Sequence, residues 1–272
     1  MSGVVRLTVR ATPELPLEAE SIRPDAFAAL AEREIAALPV WLGRERLPLG
    51  ELFEVHGERS ADVRVEGDAS RVKYLGAGMA GGTLTVEGSA GAHVGEGMTG
   101  GTLRVLGDAA DFAGAEMAGG LLELRGDAGG QLGGPAPGGG GMRGGVIVVH
   151  GGAGDFAGAL MRRGLIAVRG DVGDHAAAGM IAGTLLAFGD VGRRPGAGLE
   201  RGTLVVRGSV RLLPTFRLAC TYRPPFLDVY LRELRERYGA GWADDGGGSY
   251  HRYTGDYAGL GKGEVLVWAG SG

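Results

Sequence analysis

The sequence predicts an all-β chain wound as a solenoid of short strands, and three observations carry that prediction. Glycine supplies 56 of 272 residues, about three times its ordinary share. A short strand ending in glycine recurs at a fixed spacing. Between these strands, further glycines and methionines return at constant offsets. So much glycine excludes a plain helical bundle, because each interior glycine costs about 1 kcal/mol against alanine. Collagen is excluded by the lack of a three-residue period and by a proline count of only 11. Disorder is excluded by 44% hydrophobic content at a net charge of -4, which is enough apolar surface to bury a core.

Residues 1–52 precede the repeat. Val4–Val9 alternates polar and apolar residues and reads as an edge strand. Pro24–Leu38 reads as a helix, with Asp25 near its start and an apolar stripe of Phe27, Leu30, Ile35 and Leu38. This segment is expected to cap the first coil, whose open end would otherwise leave strand groups unpaired.

Residues 53–213 hold the repeat. Strands end at Gly67, Gly88, Gly107, Gly126, Gly151, Gly170, Gly189 and Gly208, with spacings of 21, 19, 19, 25, 19, 19 and 19. The period is therefore 19 residues, with two extra residues near Val72–Leu75 and six at Gly134–Gly139. Alternation turns Leu84 and Val86 inward and Thr85 and Glu87 outward. Asp68, Asp108, Asp127, Asp171 and Asp190 follow these glycines and read as bonding local backbone in the bend. A second glycine column holds Gly95, Gly114, Gly133, Gly158 and Gly196, with Ala177 in its place once. A methionine column follows: Met79, Met98, Met117, Met142, Met161 and Met180, then Leu199. It reads as an apolar ladder of gap-filling side chains rather than a thioether metal site. Gly76–Gly81 fits the GxGxxG pattern of phosphate loops, but variants recur in every period with no βαβ unit, so that reading is set aside. Eight coils stacked at about 4.8 Å would make a rod of roughly 35–40 Å.

Residues 214–272 leave the repeat. Pro224–Tyr238 reads as an amphipathic helix, with Phe226, Leu227, Tyr230, Leu231 and Leu234 inward and Arg232, Glu233, Arg235, Glu236 and Arg237 outward. It is a second cap or a docking element. Gly255–Val267, GDYAGLGKGEVLV, reads as a turn followed by a strand.

The chemistry-bearing residues are sparse. A mildly acidic balance gives no argument for nucleic acid or an anionic membrane. No apolar stretch reaches a spanning length and Met1–Arg10 lacks a signal-peptide pattern. The single Cys220 excludes an intrachain disulfide and any cysteine-held cluster made by this chain alone, which is consistent with a reducing cytosol. His56, His93, His150, His175 and His251 are read as sharing no repeat column and forming no HxH or HExxH spacing. Asp244-Asp245 reads as a turn in a glycine-rich loop. No GxSxG elbow exists. The sequence therefore predicts no catalytic residue and no metal ligand. Arg162-Arg163 and Arg193-Arg194 fall at different repeat positions. They are read either as solvated corners or as contacts for a carboxylate-rich ligand or partner.

The pattern Gly88-x6-Gly95-x-Gly97-Met98-x-Gly100-Gly101 resembles the glutamate-synthase C-terminal β-helix superfamily. Through Val63–Val210 and the tail GDYAGLGKGEVLV, the chain is similar to the C-subunit family of formylmethanofuran dehydrogenases and of the related bacterial formyltransferase/hydrolase complex. The resemblance implies a right-handed parallel β-helix and a non-catalytic scaffold in a cytoplasmic hetero-oligomer. Its implied partners are an amidohydrolase-like subunit with a metal centre, a formyltransferase subunit and one more protein. The implied complex uses tetrahydromethanopterin and a methanofuran-type carrier, and converts 5-formyl-tetrahydromethanopterin to formate in formaldehyde oxidation. No cofactor is implied for this chain itself. The alternatives are a CO2-reducing tungsten or molybdenum formylmethanofuran dehydrogenase and a structural β-helix serving a glutamate-synthase-like enzyme. A catalytic β-helix such as a polysaccharide lyase would need charges clustered on a groove, which no column displays. Because carriers in the family bear glutamate-rich tails, Arg162, Arg163, Arg193 and Arg194 become the expected carrier or partner contacts.

Overall fold

The computed structural model describes residues 3–242 and 248–270 and is mostly β-sheet with few helices. The N-terminal segment runs β1 (Val5–Val9), β2 (Leu17–Glu18), α1 (Pro24–Phe27), α2 (Glu32–Ala36), β3 (Pro39–Leu42), β4 (Glu45–Pro48), α3 (Leu49–Leu52) and β5 (Phe53–His56). The repeat supplies β6 (Asp62–Glu66), β7 (Val72–Lys73), β8 (Thr83–Val86), β9 (Thr102–Val105), β10 (Ala118–Leu124), β11 (Arg143–Val149), β12 (Arg163–Val168), β13 (Thr184–Ala187) and β14 (Thr203–Val206). The C-terminal segment adds β15 (Arg217–Tyr222), α4 (Pro225–Tyr238), β16 (Tyr250–Gly255) and β17 (Gly263–Trp268). Among the described residues the strands form a 13-stranded sheet and a 4-stranded sheet.

The period sets the register of the large sheet. From β6 through β8 to β14, successive repeat strands are parallel neighbours, and each residue faces its counterpart one period on: Leu84 with Leu103, Leu103 with Leu122, Leu122 with Ile147. Parallel pairing requires the chain to travel away and return. A constant return length converts equal offsets into columns. A second ladder of single parallel bridges joins Ala69, Ala90, Ala109, Ala128 and Ala153 to Val172, Val191 and Val210. The inward column Val63, Leu84, Leu103, Leu122, Ile147, Ile166, Leu185 and Leu204 is fully buried. So are all six methionines of the predicted ladder and Leu199.

Glycine at the turn before each strand makes room for that ladder. Gly101 has φ +79, and a Cβ there would stand 2.5 Å from Met79 Cε and 2.8 Å from the Gly82 carbonyl. The same relation repeats at Gly120, where a Cβ would stand 2.6 Å from Met98 Cε. Each methionine thus fills the space that the next repeat's glycine leaves open.

The aspartates act across repeats rather than locally, which corrects the sequence reading. Asp108 Oδ1 accepts the Asp127 N–H (2.8 Å), Asp127 Oδ1 accepts the Gly152 N–H (2.7 Å), and Asp171 Oδ1 accepts the Asp190 N–H (2.8 Å). In a bend, neighbouring N–H groups point along the stack, so the nearest carboxylate belongs to the preceding repeat. Asp68 alone among the five bonds locally, accepting the Ser70 N–H at 3.0 Å. That local turn marks the two-residue insertion. Ala69 bridges Ala90, 21 positions on, whereas the Tyr74 and His93 column already runs at 19. The extra residues therefore lie between Ala69 and Tyr74, at the near end of the expected stretch. The six-residue insertion lies where expected, closed by the Met142 N–H on the Gly133 carbonyl at 2.9 Å.

Both flanks extend the sheet. β1 pairs in parallel with β6 and antiparallel with β5, so it is an interior strand and β5 takes the edge. Val5 and Leu7 continue the two inward columns opposite Val63 and Val65, which is why the expected edge position does not hold. At the other end β17 joins β14 in parallel, Val265 opposite Leu204, and β16 and β15 follow antiparallel. The predicted helix over Pro24–Leu38 is instead α1 and α2, broken by extended backbone at Ala31 (φ -74, ψ 158). The break lets the Leu30 carbonyl accept the Arg59 N–H at 2.9 Å, while Phe27 and Ile35 both stay fully buried.

The outward column of the sheet changes character along the stack. It reads Arg64, Thr85, Arg104 and Glu123, then Val148, Ala167, Leu186, Val205 and Leu266. The apolar half is covered by α4 through Leu227, Leu231 and Leu234, together with Trp242 and Tyr250. The helix is thus a lid on the sheet face rather than a plug at its end. Phe226, predicted inward, is 38% exposed, and Tyr230 is half-buried.

Candidate functional site

One corner of the stack gathers a column of aromatic and polar side chains. Tyr74, His93, Phe112, Gln131, Phe156, His175 and Arg194 occupy this corner in successive repeats, all with left-handed backbone (φ 55 to 65). Each of the first six N–H groups bonds to a carbonyl of the following repeat, as His93 does to Asp111 and Phe156 to Asp174. Their rings stack: Tyr74 on His93 at 4.6 Å, His93 on Phe112 at 4.7 Å, and Phe156 on His175 at 4.7 Å. His93 and His175 therefore share a column, which corrects the reading that the histidines do not. The signal was present, since each stands five residues after its strand-ending glycine, Gly88 and Gly170.

At the N-terminal end this corner meets β2 and β3 across an open groove of about 600 Å³. Glu18, Glu20, Glu96 and Glu116 line it with Arg23, Trp41 and Tyr74. Burial raises the Tyr74 hydroxyl above its ordinary pKa, and the carboxylates of Glu96, Glu18 and Glu20 add to the effect. Four carboxylates against the one guanidinium of Arg23 leave this groove with excess negative charge. Glu96 also pairs with His93.

At the other end Arg193, Arg194 and Arg211 line a groove of about 330 Å³ with Leu212, Leu213 and Pro214. An adjoining recess of about 250 Å³ adds Asp174 and His175. Asp174 is fully engaged by Arg193, whose backbone N–H donates to Oδ1 (2.7 Å) and whose guanidinium donates to Oδ2 at 3.0 and 2.9 Å. These bonds, the backbone one foremost, hold the Asp174 carboxyl below its ordinary pKa. Arg194 and Arg211 make no ion pair among the described residues, so the groove carries excess positive charge.

Arg162 and Arg163 lie elsewhere, at the start of β12, where Arg163 stands opposite Arg143. All three are exposed and make no ion pair among the described residues. The structure therefore does not bring the two predicted arginine pairs into one patch. Instead it joins each pair to an arginine that sequence reasoning missed, Arg143 for one and Arg211 for the other. Register alone reveals both, because they become neighbours only when the repeats stack.

The remaining candidates are accounted for locally. Glu123 is nearly buried (side chain 3% exposed) and meets Arg125 at 2.8 Å, His150 at 3.3 Å and Arg104 at 3.4 Å. The His150 ring packs edge-on against Tyr238 and Trp242 at 5.4 and 5.1 Å. His56 pairs with Glu54 at 3.1 Å, and His251 Nδ1 meets Thr221 Oγ1 at 2.8 Å. Cys220 is exposed on β15. Among the described residues no group of three or more His, Cys, Asp or Glu is placed to hold a metal ion, and no helix is long and apolar enough to cross a membrane. Asp244-Asp245 lies outside the described residues. What these surfaces offer is charge, ring faces and apolar contact.

Known proteins share this architecture. No family model matches the chain. An 80-residue segment, 29% of the chain, is 46% identical to 20% of the C-subunit of molybdenum-containing formylmethanofuran dehydrogenase 1 of Methanothermobacter thermautotrophicus. An 86-residue segment, 31% of the chain, is 38% identical to 32% of the C-subunit of the formyltransferase/hydrolase complex of Methylorubrum extorquens. The sequence matches thus span a third or less of these relatives' lengths. The structural match is far wider. A chain in the crystal structure of the Methylorubrum extorquens formyltransferase/hydrolase complex, solved with methylofuran, superimposes with a TM-score of 0.90 at 36% identity, over 97% of this chain and 100% of that one. Near-complete coverage at that identity extends from the repeat to both flanks. The chain belongs to the C-subunit family of formylmethanofuran dehydrogenases and of the formyltransferase/hydrolase complex.

Proposed function

We propose that this chain is the non-catalytic scaffold of a multi-subunit formyltransferase/hydrolase complex in cytoplasmic one-carbon metabolism. In this reading the complex takes the formyl group of 5-formyl-tetrahydromethanopterin through a methanofuran-type carrier to formate. An amidohydrolase-like subunit with a metal centre and a formyltransferase subunit perform the chemistry. The repeat, residues 53–213, winds as a right-handed parallel β-helix between an N-terminal cap, 1–52, and a C-terminal segment, 214–272. The observation that carries the reading is the full-length match to a chain of such a complex at 36% identity. A long stack of identical corners suits the role, since it offers several partners one continuous surface.

Arg162 and Arg163 are the residues we assign to the anionic tail of the carrier. They stand beside Arg143 with no carboxylate of their own among the described residues, and guanidinium groups bind carboxylates in paired hydrogen bonds. Arg193 and Arg194 stand apart from them, in the groove that Arg211 also lines.

The test is native mass spectrometry of the assembly purified through this chain. Co-purification of an amidohydrolase-like and a formyltransferase subunit, without a redox-cluster protein, supports the hydrolytic complex. A redox-cluster partner would replace it with the CO2-reducing alternative, and an amidotransferase partner with the glutamate-synthase one. For the carrier contact, Arg162→Ala with Arg163→Ala should weaken carrier affinity about tenfold, and unchanged affinity sinks that assignment.

A further inference from the structure

The ladder corner is polarised along its length. Its first repeats open into the groove ringed by Glu18, Glu20, Glu96 and Glu116, and its last repeats into the groove of Arg194 and Arg211. Between them stand two exposed apolar side chains, Phe156 (37%) and Leu160 (41%). Tyr74 and Arg194 are six repeats apart, which at strand spacing is about 29 Å.

Leu160 is in a position that folding alone does not favour. Its column in the other repeats is Gly78, Gly97, Gly179 and Gly198, all left-handed (φ 61 to 72). Leu160 holds φ 53 and Glu116, in the same column, φ 56. A left-handed residue with a side chain is strained by about 1–2 kcal/mol, and Leu160 offsets that only through the part of its side chain that lies over Gly179, 41% of the residue remaining exposed. The two non-glycine residues of this column stand on the acidic groove and on the apolar middle. Local strain of this kind concentrates where contact requires it.

We propose that this corner is the docking line for an elongated polypeptide element of a partner protein in the complex, cationic at the end that meets Glu96 and Glu116, anionic at the end that meets Arg194 and Arg211. Phe156 and Leu160 are its apolar anchors. Opposite charges at the two ends fix the direction in which the element lies, because reversal places like charges together at both grooves. The inference rests on the chain being part of a complex, and goes beyond that by assigning the surface and the chemistry of what covers it.

The test uses the whole complex purified through this chain. Leu160→Gly removes the anchor and relieves the strain together. Strain relief and lost contact with Gly179 oppose each other, so the melting temperature of the chain should move by only a few degrees, while the complex dissociates about tenfold faster. Arg194→Glu with Arg211→Glu should weaken retention of the same partner and abolish the protection from hydrogen exchange that assembly gives to residues 156–160. Full retention by both variants, or assembly that leaves residues 74–97 and 156–194 unprotected, overturns the docking line while leaving the scaffold role intact. Failure of the wild-type chain to assemble with any partner removes both.

Discussion

At the scale of single residues, the fold rests on what one repeat leaves vacant for the next. Gly101 is the clearest case, because its missing Cβ is the space that Met79 Cε fills. Gly101→Ala should destabilise the chain by about 3 kcal/mol, adding left-handed strain to overpacking; a urea melt that moves by less than a third of this would contradict it. The aspartate ladder gives a second prediction, now in pH. The Ser209 backbone N–H and hydroxyl hold the Asp190 carboxyl below its ordinary value of 3.8. Arg193 does the same for Asp174. A carboxyl whose pKa falls on folding stabilises the fold above its unfolded value, and that contribution disappears as pH drops through the folded value. Acid melts should therefore steepen below the ordinary carboxylate pKa. Asp190→Asn keeps an acceptor oxygen but cannot carry the charge, so it should lower stability modestly at pH 7 and flatten this limb, the two proteins converging at low pH. The glycines, methionines and aspartates were legible as columns. The partner of each was not, because it lies a period away and register has to be known before it can be named.

At the scale of elements, the informative transition is the outward column of the sheet. It passes from Arg104 and Glu123 to Val148, Ala167, Leu186 and Val205 where α4 covers it. That change stands in the sequence as the difference between strands such as LTV and LRV and strands such as IVV and LVV. Read strand by strand, it escapes notice; read down the column, it calls for a cover. The helix itself was legible from its period, and its docking face was not, since Phe226 sits on the apolar stripe yet remains exposed. At the edge of this cover His150 lies beneath Tyr238 and Trp242. Burial pushes its pKa below the ordinary 6.5, with Arg125 and Arg169 adding to the shift and Glu123 opposing it. A histidine favoured neutral in the fold contributes fully above its unfolded pKa, and the contribution is lost as pH falls from there toward the folded value. Protection of the α4 amides from hydrogen exchange should therefore decline below about pH 6.5. His150→Phe, which keeps a ring and cannot charge, should remove that decline; an unaltered pH profile in this variant would place its origin elsewhere.

At the scale of the whole molecule, the parallel strands of the repeat continue at both ends into strands of non-repeating chain. The central period was fully visible in sequence. The closing strands were less so, because β1 and β17 join the parallel array from outside it, by matching Val5 to Val63 and Val265 to Leu204, with no glycine spacing to announce them. If every repeat meets only its neighbours, removing one complete layer should leave all remaining columns in register. Deleting Ser89–Gly107, 19 residues, places Asp108 after Gly88 and stacks Ala109 on Ala69 in the bridge ladder. The inward column then runs Leu84 to Leu122, and β11 to β14 beneath α4 are untouched. Such a chain should fold, with the same β-sheet signal per residue and a melting temperature lower by only a few degrees, since one interface between layers is lost. Deleting nine residues from the same repeat slips the strand by an odd number and turns its inward residues outward; that chain should aggregate or fail to fold. Equal damage from both deletions, read by circular dichroism and thermal melting, would show that the columns are not interchangeable layers and that the proposed coil is the wrong description of the stack.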